Sequence, residues 1–150
     1  MITVLCCSLL FYSCLHKRTG TLNKNNADMM ITTLAKGSYC PIEPGKDIVI
    51  SSNDKWVRVW DSIHKDTCPR PSLPEVDFNH QTVLASFMGT RPTGGYSIEI
   101  HQVKKEGEKI VATIKTQSPE PGEMVTMAIT RPFHVVMVDV ADKEIEFKRK

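Results

Sequence analysis

Histidine, cysteine and paired carboxylates are the side chains with which this sequence could perform chemistry. The histidines are scattered, and no two of them have a spacing typical of metal ligands: His16, His64, His80, His101 and His134. Nucleophilic catalysis would need a thiol such as Cys40 or Cys68 beside a positioned base, and no local pattern indicates an activated thiol. The carboxylates are expected to face solvent: Glu99, Glu120, Glu144 and Glu146. The sequence therefore predicts a protein that is not an enzyme, with no catalytic residue, metal or cofactor.

A glycine-rich stretch is the next candidate for chemistry. Gly89 and Gly94 have the spacing of a phosphate-binding loop, but Gly95 and Tyr96 follow where a lysine and a serine or threonine would be needed. Without the lysine, nothing holds the phosphates. The net charge is +2, and lysine and arginine are dispersed along the chain rather than gathered into one stripe. The sequence therefore predicts neither a nucleotide nor a nucleic acid as ligand.

The same stretch favours a contact surface for another protein. An apolar segment (82–88) enters it and an alternating segment (96–103) leaves it, which predicts a strand, a shaped loop and a second strand. Pro92 fixes one φ angle while Gly94 and Gly95 can adopt positive φ, so the backbone sets the shape of the loop. The alternative is an ordinary hairpin turn with no further role.

The predicted partner-binding residues fall into this loop and one other proline-containing segment. In the loop, we expect Arg91 to supply a charged anchor and Tyr96 an apolar contact, while the glycines let the backbone of the partner approach. An exposed sheet edge could add strand pairing. The full predicted set is Arg91, Pro92, Thr93, Gly94, Gly95, Tyr96, Arg131, Pro132 and Phe133.

The first residues of the chain indicate export. Residues 1–13 carry no charge, and their apolar run is too short for a bilayer, which needs about 20 residues, so they predict a signal peptide. Ser13 followed by Cys14 resembles a bacterial lipobox, which implies a lipid on Cys14 and anchoring to a membrane. The alternative is an uncleaved apolar strand or helix, or a misplaced start codon. The polar residues 14–28 then predict a flexible tether.

The remaining cysteines leave two possibilities open. With the signal peptide removed and Cys14 lipidated, Cys40 and Cys68 are the only thiols of the mature domain. In an oxidising envelope they could form a disulfide. The alternative is that they stay free and buried.

The elements that must position these residues follow from hydrophobic spacing. Trp56 and Trp60 stand at helical spacing behind a cluster of N-cap residues, which predicts an α-helix over about 52–65 with both indoles in the core. Short apolar runs predict strands at 29–35, 47–50, 82–88, 96–103, 109–116, 124–130, 135–140 and 144–148. The first two are expected to form a hairpin or two sheet edges, and the last a charged edge strand. We therefore predict a single α+β domain over 29–150, with a mostly antiparallel, curled or barrel-like β-sheet and one packed helix.

Three segments of the sequence are familiar as a set. Residues 73–78, 93–98 and 130–136 resemble the C-terminal domain of the PrcB-like family of bacterial envelope proteins, and the resemblance spans about 73–140. The family is named for a lipoprotein that associates with and stabilises a secreted serine protease complex. The resemblance therefore implies a lipid-anchored protein of the bacterial cell envelope that binds a partner protein, such as a secreted protease, and does not catalyse a reaction.

A second, fainter likeness implies a different use of the same loops. Residues 91–96 and 131–133 are similar in type and order to two loops of chagasin-type cysteine-protease inhibitors, which insert loops from one end of a β-barrel into an active-site cleft. The likeness implies a protease inhibitor as the alternative function.

Overall fold

The computed structural model describes residues 28–141 and 143–150. The predicted signal peptide (1–13), the lipidation site Cys14 and the tether up to residue 27 lie outside the described residues. The elements in chain order are β1 (Ile31–Gly37), β2 (Lys46–Ile50), α1 (Asn53–Ile63), β3 (Thr82–Phe87), β4 (Ser97–Glu106), β5 (Lys109–Gln117), β6 (Phe133–Val138) and β7 (Ile145–Arg149).

The strands form two separate sheets. One sheet has four antiparallel strands in the order β1-β6-β3-β2, and the other has three strands in the order β4-β5-β7. In the second sheet β4 and β5 are antiparallel and β5 and β7 are parallel. The first two strands are therefore the two edges of the larger sheet and not a hairpin. The predicted curled or barrel-like sheet is wrong: the domain is a mostly β, largely antiparallel two-sheet structure with one short helix.

The way the sheet edges meet explains why they do not close into a barrel. On one side the backbone amide of Met29 donates to the carbonyl of Val103 at 2.8 Å, but this contact is not continued as a ladder between β1 and β4. On the other side, the Arg149 guanidinium of β7 bonds both carboxylate oxygens of Asp47 in β2, at 3.0 and 2.8 Å. Side chains and a short backbone bridge thus connect the edges, whereas a barrel needs strand pairing along the whole seam.

The core has two apolar layers, one on each face of the four-stranded sheet. Val83, Ala85 and Phe87 of β3 face the layer under the helix, and Leu84 faces the layer between the sheets. Because both faces are covered, β3 is buried at every position, which accounts for its nearly uninterrupted apolar sequence. Burial of each large apolar side chain in these layers contributes on the order of 2 kcal/mol.

The helix packs through its two tryptophans, as the sequence predicts. Trp56 and Trp60 are 0% and 4% exposed. Each indole N–H donates to a carbonyl of the proline-rich linker that follows the helix: Trp56 to Pro74 at 3.0 Å and Trp60 to Pro71 at 3.2 Å. The linker therefore lies along the helix and satisfies the only polar atom of each buried indole. The helix ends at Ile63, two residues before the predicted end.

The strand predicted over 124–130 does not exist. In this segment only Thr130 makes a β-type pair, an isolated bridge to Arg91. Met124 and Met127 are almost fully exposed, so the apolar alternation that predicts a half-buried strand has no sheet to pack on. The edge strand predicted over 144–148 is confirmed as β7, with one residue of offset at each end.

Candidate interaction surface

Strand direction brings three segments together at one end of the domain, here called the loop end: 38–45, 88–96 and 118–132. β1 and β3 finish there, and β2, β4 and β6 begin there. The first described residue, Asp28, lies at the opposite end, where it pairs with Lys104 near the turn between β4 and β5. The ten residues of β4 separate the two ends by about 30 Å at 3.3 Å per residue.

The glycine loop (91–96) is partly covered by the chain's own residues 118–130, here called the covering segment. The amide of Gly94 donates to the carbonyl of Thr126 at 2.9 Å, and a Cβ on Gly94 would stand 2.3 Å from the Thr126 hydroxyl oxygen. Gly95 has φ of +81°, and a Cβ there would stand 2.8 Å from Val125 and 2.9 Å from Pro119. These glycines therefore make room for side chains of this chain itself, in the place where the sequence predicts a partner.

The covering segment is also fixed at its far end. Thr130 and Arg91 exchange two backbone hydrogen bonds, at 2.8 and 3.0 Å, and the Thr130 hydroxyl donates to the carbonyl of Thr93 at 2.7 Å. The two proline-containing segments that the sequence singled out, 91–96 and 131–133, are thus adjacent. Three backbone hydrogen bonds hold the covering segment to the loop, so its conformation is set by the rest of the domain.

The Arg91 side chain makes its contacts within the domain. Its Nη2 donates to the carbonyl of Met88 at 3.2 Å, and its guanidinium lies over the ring of Tyr96 at 5.7 Å. Its buried Nε has no hydrogen-bond partner among the described residues. The side chain that the sequence assigned as a charged anchor therefore packs on Tyr96, which is half-buried beneath it.

Arg131 similarly holds the loops of the loop end together. Its Nε donates to the carboxylate of Glu43 at 2.6 Å and to the hydroxyl of Thr90 at 3.1 Å, and Thr90 itself donates to Glu43. Its Nη1 donates to the Tyr39 hydroxyl at 3.0 Å. One guanidinium thus connects the 38–45 segment with the 88–96 segment.

Pro132 and Phe133 are buried. The carbonyl of Pro132 accepts the amide of Met88 at 2.9 Å, and Phe133 stacks on Phe87 with ring centroids 6.4 Å apart. Among the predicted partner-binding residues, only Pro92 and Gly95 are exposed, and the others are buried or half-buried. The phenylalanine belongs to the core under the helix and is not on the surface.

Three exposed apolar residues of the loop end lie on the covering segment, and sequence reasoning missed them; Tyr39, on the 38–45 segment, is a fourth. Met124, Met127 and Ile129 are 98%, 90% and 61% exposed. They flank Val125 and Thr126, the residues that contact the glycine loop. The apolar character of this segment was visible in the sequence, but it predicted a strand. The sequence therefore showed that these residues are apolar, but it did not show that their side chains face solvent.

The candidate catalytic residues do not come together. Within residues 28–141 and 143–150, no group of histidine, cysteine and acidic side chains could hold a metal ion, and no pocket forms in that part. Cys40 is buried and Cys68 is exposed, and the two thiols are not joined. Burial raises the pKa of the Cys40 thiol, which disfavours the reactive thiolate. His80 bonds the carboxylate of Asp77 at 2.7 Å in an exposed turn.

The fold and the surface define a class: a two-sheet β domain with one packed helix, whose distinctive surface is a set of loops connected by hydrogen bonds. Residues 82–139 match the family model described as PrcB C-terminal. The match covers β3 to β6 with the glycine loop and the covering segment, leaves out the 38–45 segment, and starts later than the predicted 73. This domain is not known as a catalytic one. Comparison with curated proteins and with solved structures finds no match.

No helix in 28–141 or 143–150 has the length and apolarity needed to cross a membrane.

Proposed function

We propose that the domain binds a partner protein through the loop end, with the outer face of the covering segment as the central contact. The observation that carries this proposal is the near-complete exposure of Met124 and Met127 on a segment that is fixed to the domain by hydrogen bonds at Gly94 and Thr130. Exposed thioether side chains adapt to irregular apolar pockets. A braced segment also loses little conformational entropy when a partner covers it.

The proposed contact surface differs from the one expected from sequence in a defined way. The glycine loop supports the covering segment from below, and Pro92 and Gly95 extend the surface at its margin. Arg91 and Arg131 act as positioning residues because their guanidinium groups are engaged within the domain. The surface is therefore apolar at its centre, where Met124 and Met127 are exposed.

We also propose that the protein is a lipoprotein of the bacterial cell envelope, anchored through Cys14. The apolar residues 1–13 and the Ser13-Cys14 pair support this proposal. Asp28 enters the domain at the end opposite the covering segment, so an anchored domain can present its loop end away from the membrane. Incorporation of radiolabelled palmitate should be lost in Cys14→Ala, and incorporation that persists in this variant would refute the lipid anchor.

Site-specific cross-linking tests the contact surface. A photo-reactive phenylalanine derivative is placed at position 127 or at position 30 of the full chain in its native cells. Met30 is a matched control, because it is 78% exposed and lies at the opposite end of the domain. We expect one discrete adduct from position 127 that is absent from position 30, and we expect Met124→Asp to reduce its yield at least tenfold. Equal adducts from both positions, or an adduct indifferent to Met124→Asp, would refute the proposal.

Protease inhibition is a second candidate, favoured by one observation: the 91–96 and 131–133 segments are adjacent at one end of the domain. The burial of Phe133 limits this candidate, because an inhibitor of that design would need its second loop to protrude. Purified protein titrated against papain-type proteases would decide it. Inhibition lost in a Pro92→Ala variant supports the candidate, and no inhibition at a tenfold molar excess excludes it for that class.

A further inference from the structure

A row of polar residues crosses the inner face of the four-stranded sheet. Lys36 of β1 is paired with His134 of β6, and His134 is paired with Ser86 of β3. Ser86 is paired in turn with Asp47 of β2 and donates to its carboxylate at 2.5 Å. Directly paired residues share a face of the sheet. This is the face toward the second sheet, because Val136, two residues after His134, belongs to the layer between the sheets.

His134 joins the two sheets. The ring is 3% exposed, and the backbone amide of Ile100 in β4 donates to its Nδ1 at 2.9 Å. Its Nε2 lies 3.0 Å from the hydroxyl of Thr33 in β1. A backbone N–H can only donate, so Nδ1 must be unprotonated in this arrangement. The neutral ring therefore carries its proton on Nε2, where it donates to Thr33.

The charged groups around the imidazole come from both neighbouring elements. Lys36 of β1 is ion-paired with Glu99 of β4 at 2.9 Å, and both stand close to the ring. His101 of β4 is exposed and lies near Glu99. Burial lowers the pKa of His134, the Lys36 ammonium lowers it further, and Glu99 opposes them.

We propose that the hydrogen bond from the Ile100 amide to His134 Nδ1, here called the fastener, holds the two sheets together only while the imidazole is neutral. In the neutral state it accepts the Ile100 amide and holds β4 against β6. When a proton binds Nδ1, the ring presents an N–H to the Ile100 N–H, and the contact is lost because neither atom can accept. β4 then separates locally from the four-stranded sheet, while its ladder with β5 stays intact.

The position of Ile100 links this fastener to the loop end. β4 begins at Ser97, directly after Tyr96, so Ile100 is four residues from the glycine loop. Local release of β4 shifts the support on which the covering segment rests. This last consequence rests on the proposed function, because it gives the partner-binding surface a dependence on pH. The fastener itself is a property of the domain alone.

Nuclear magnetic resonance on the full, ¹⁵N-labelled chain tests the fastener between pH 8 and pH 4.5. The imidazole nitrogen shifts of His134 should show the Nε2–H form at neutral pH and a titration midpoint below about 6.5. Hydrogen-exchange protection of the Ile100 amide should fall below pH 6.5, by up to about tenfold per pH unit until that midpoint is passed. Protection of Ile114 in β5 should not change over the same range.

Two variants separate the fastener from general acid sensitivity. His134→Gln keeps an acceptor and a donor but does not titrate, so its Ile100 protection should stay constant with pH. His101→Gln removes the exposed histidine of β4, the strand that contains Ile100, and should behave as wild type. A proton on Nδ1 at neutral pH, a midpoint at or above 6.5, or pH-independent Ile100 protection in the wild type would overturn the proposal. These wild-type readings decide it even if a variant fails to fold, and the cross-linking at position 127 tests partner binding separately.

Discussion

The contact between Gly94 and Thr126 is the sharpest place to test how the covering segment is held. In Gly94→Ala the new Cβ would stand 2.3 Å from Thr126 Oγ1, whereas Thr126 Cβ would be 3.6 Å away, an ordinary van der Waals distance. The clash is therefore with one oxygen atom. Relieving it requires the hydroxyl to move by about 1 Å, by rotation of the exposed Thr126 side chain or by a shift of the covering segment, since ordinary contacts begin near 3.5 Å.

The cost follows from what that shift disturbs. Overpacking of this kind destabilises a protein by about 1–3 kcal/mol, and the backbone hydrogen bond from Gly94 to Thr126 contributes about 1 kcal/mol within that range. Thr126→Ala alone should change stability by less than about 0.5 kcal/mol, because the side chain is exposed. In the Thr126→Ala background the oxygen is absent, so Gly94→Ala should become nearly neutral.

A double-mutant cycle measured by urea unfolding tests this reasoning. Circular dichroism follows unfolding of the wild type, the two single variants and the double variant, and we expect a coupling free energy of about 1–2 kcal/mol in favour of the double variant. Gly122→Ala is a useful control, because nothing lies within 4 Å of its Cβ position and only its φ of +87° opposes the substitution. An equal cost for Gly94→Ala in both backgrounds would refute the geometry of the contact.

Three further predictions concern the rest of the domain. Trp60→Phe should lower the free energy of unfolding by about 1–3 kcal/mol, because it removes apolar volume and the bond to Pro71; no change in urea denaturation would show that the linker does not pack there. Arg149→Ala should lower the free energy of unfolding by less than about 1 kcal/mol, since the guanidinium is half-exposed. Asp47→Ala should lower it by more, because this change leaves the buried Ser86 hydroxyl without its acceptor. The reverse order in unfolding experiments would contradict this reasoning. Because the pKa of His134 is lower in the folded chain than in the unfolded one, the unfolded chain binds more protons on acidification. The free energy of unfolding should therefore have its full value above about pH 6.5 and decrease as the pH falls below it. In thermal unfolding experiments, the melting temperature of His134→Gln should decrease less than that of the wild type over that range.

Local pattern carried much of the fold. The helix over 53–63 with two buried tryptophans follows from N-cap residues and helical spacing, which depend only on residues a few positions apart. The same holds for most strands and for the charged edge strand β7. The likeness to the PrcB-like family rests on motifs that are themselves local in sequence.

The arrangement of the sheets was decided by contacts between distant residues. A strand pattern states which residues alternate, but it does not state which strand is the neighbour. The predicted curled or barrel-like sheet was therefore not excluded by any local feature, and neither was the predicted strand at 124–130. Only the packed structure shows that the sheet edges meet through side chains such as Asp47 and Arg149.

The candidate site divides in the same way. The sequence by itself determined that the 91–96 and 131–133 segments are shaped by proline and glycine, because the conformational limits of these residues are intrinsic. It could not determine what lies against them, since a glycine required by close approach looks the same whether the approaching residue belongs to a partner or to the chain itself. Tertiary structure placed Thr126 against Gly94 and turned Met124 and Met127 outward, because burial is settled by the whole set of neighbours and not by the residue type.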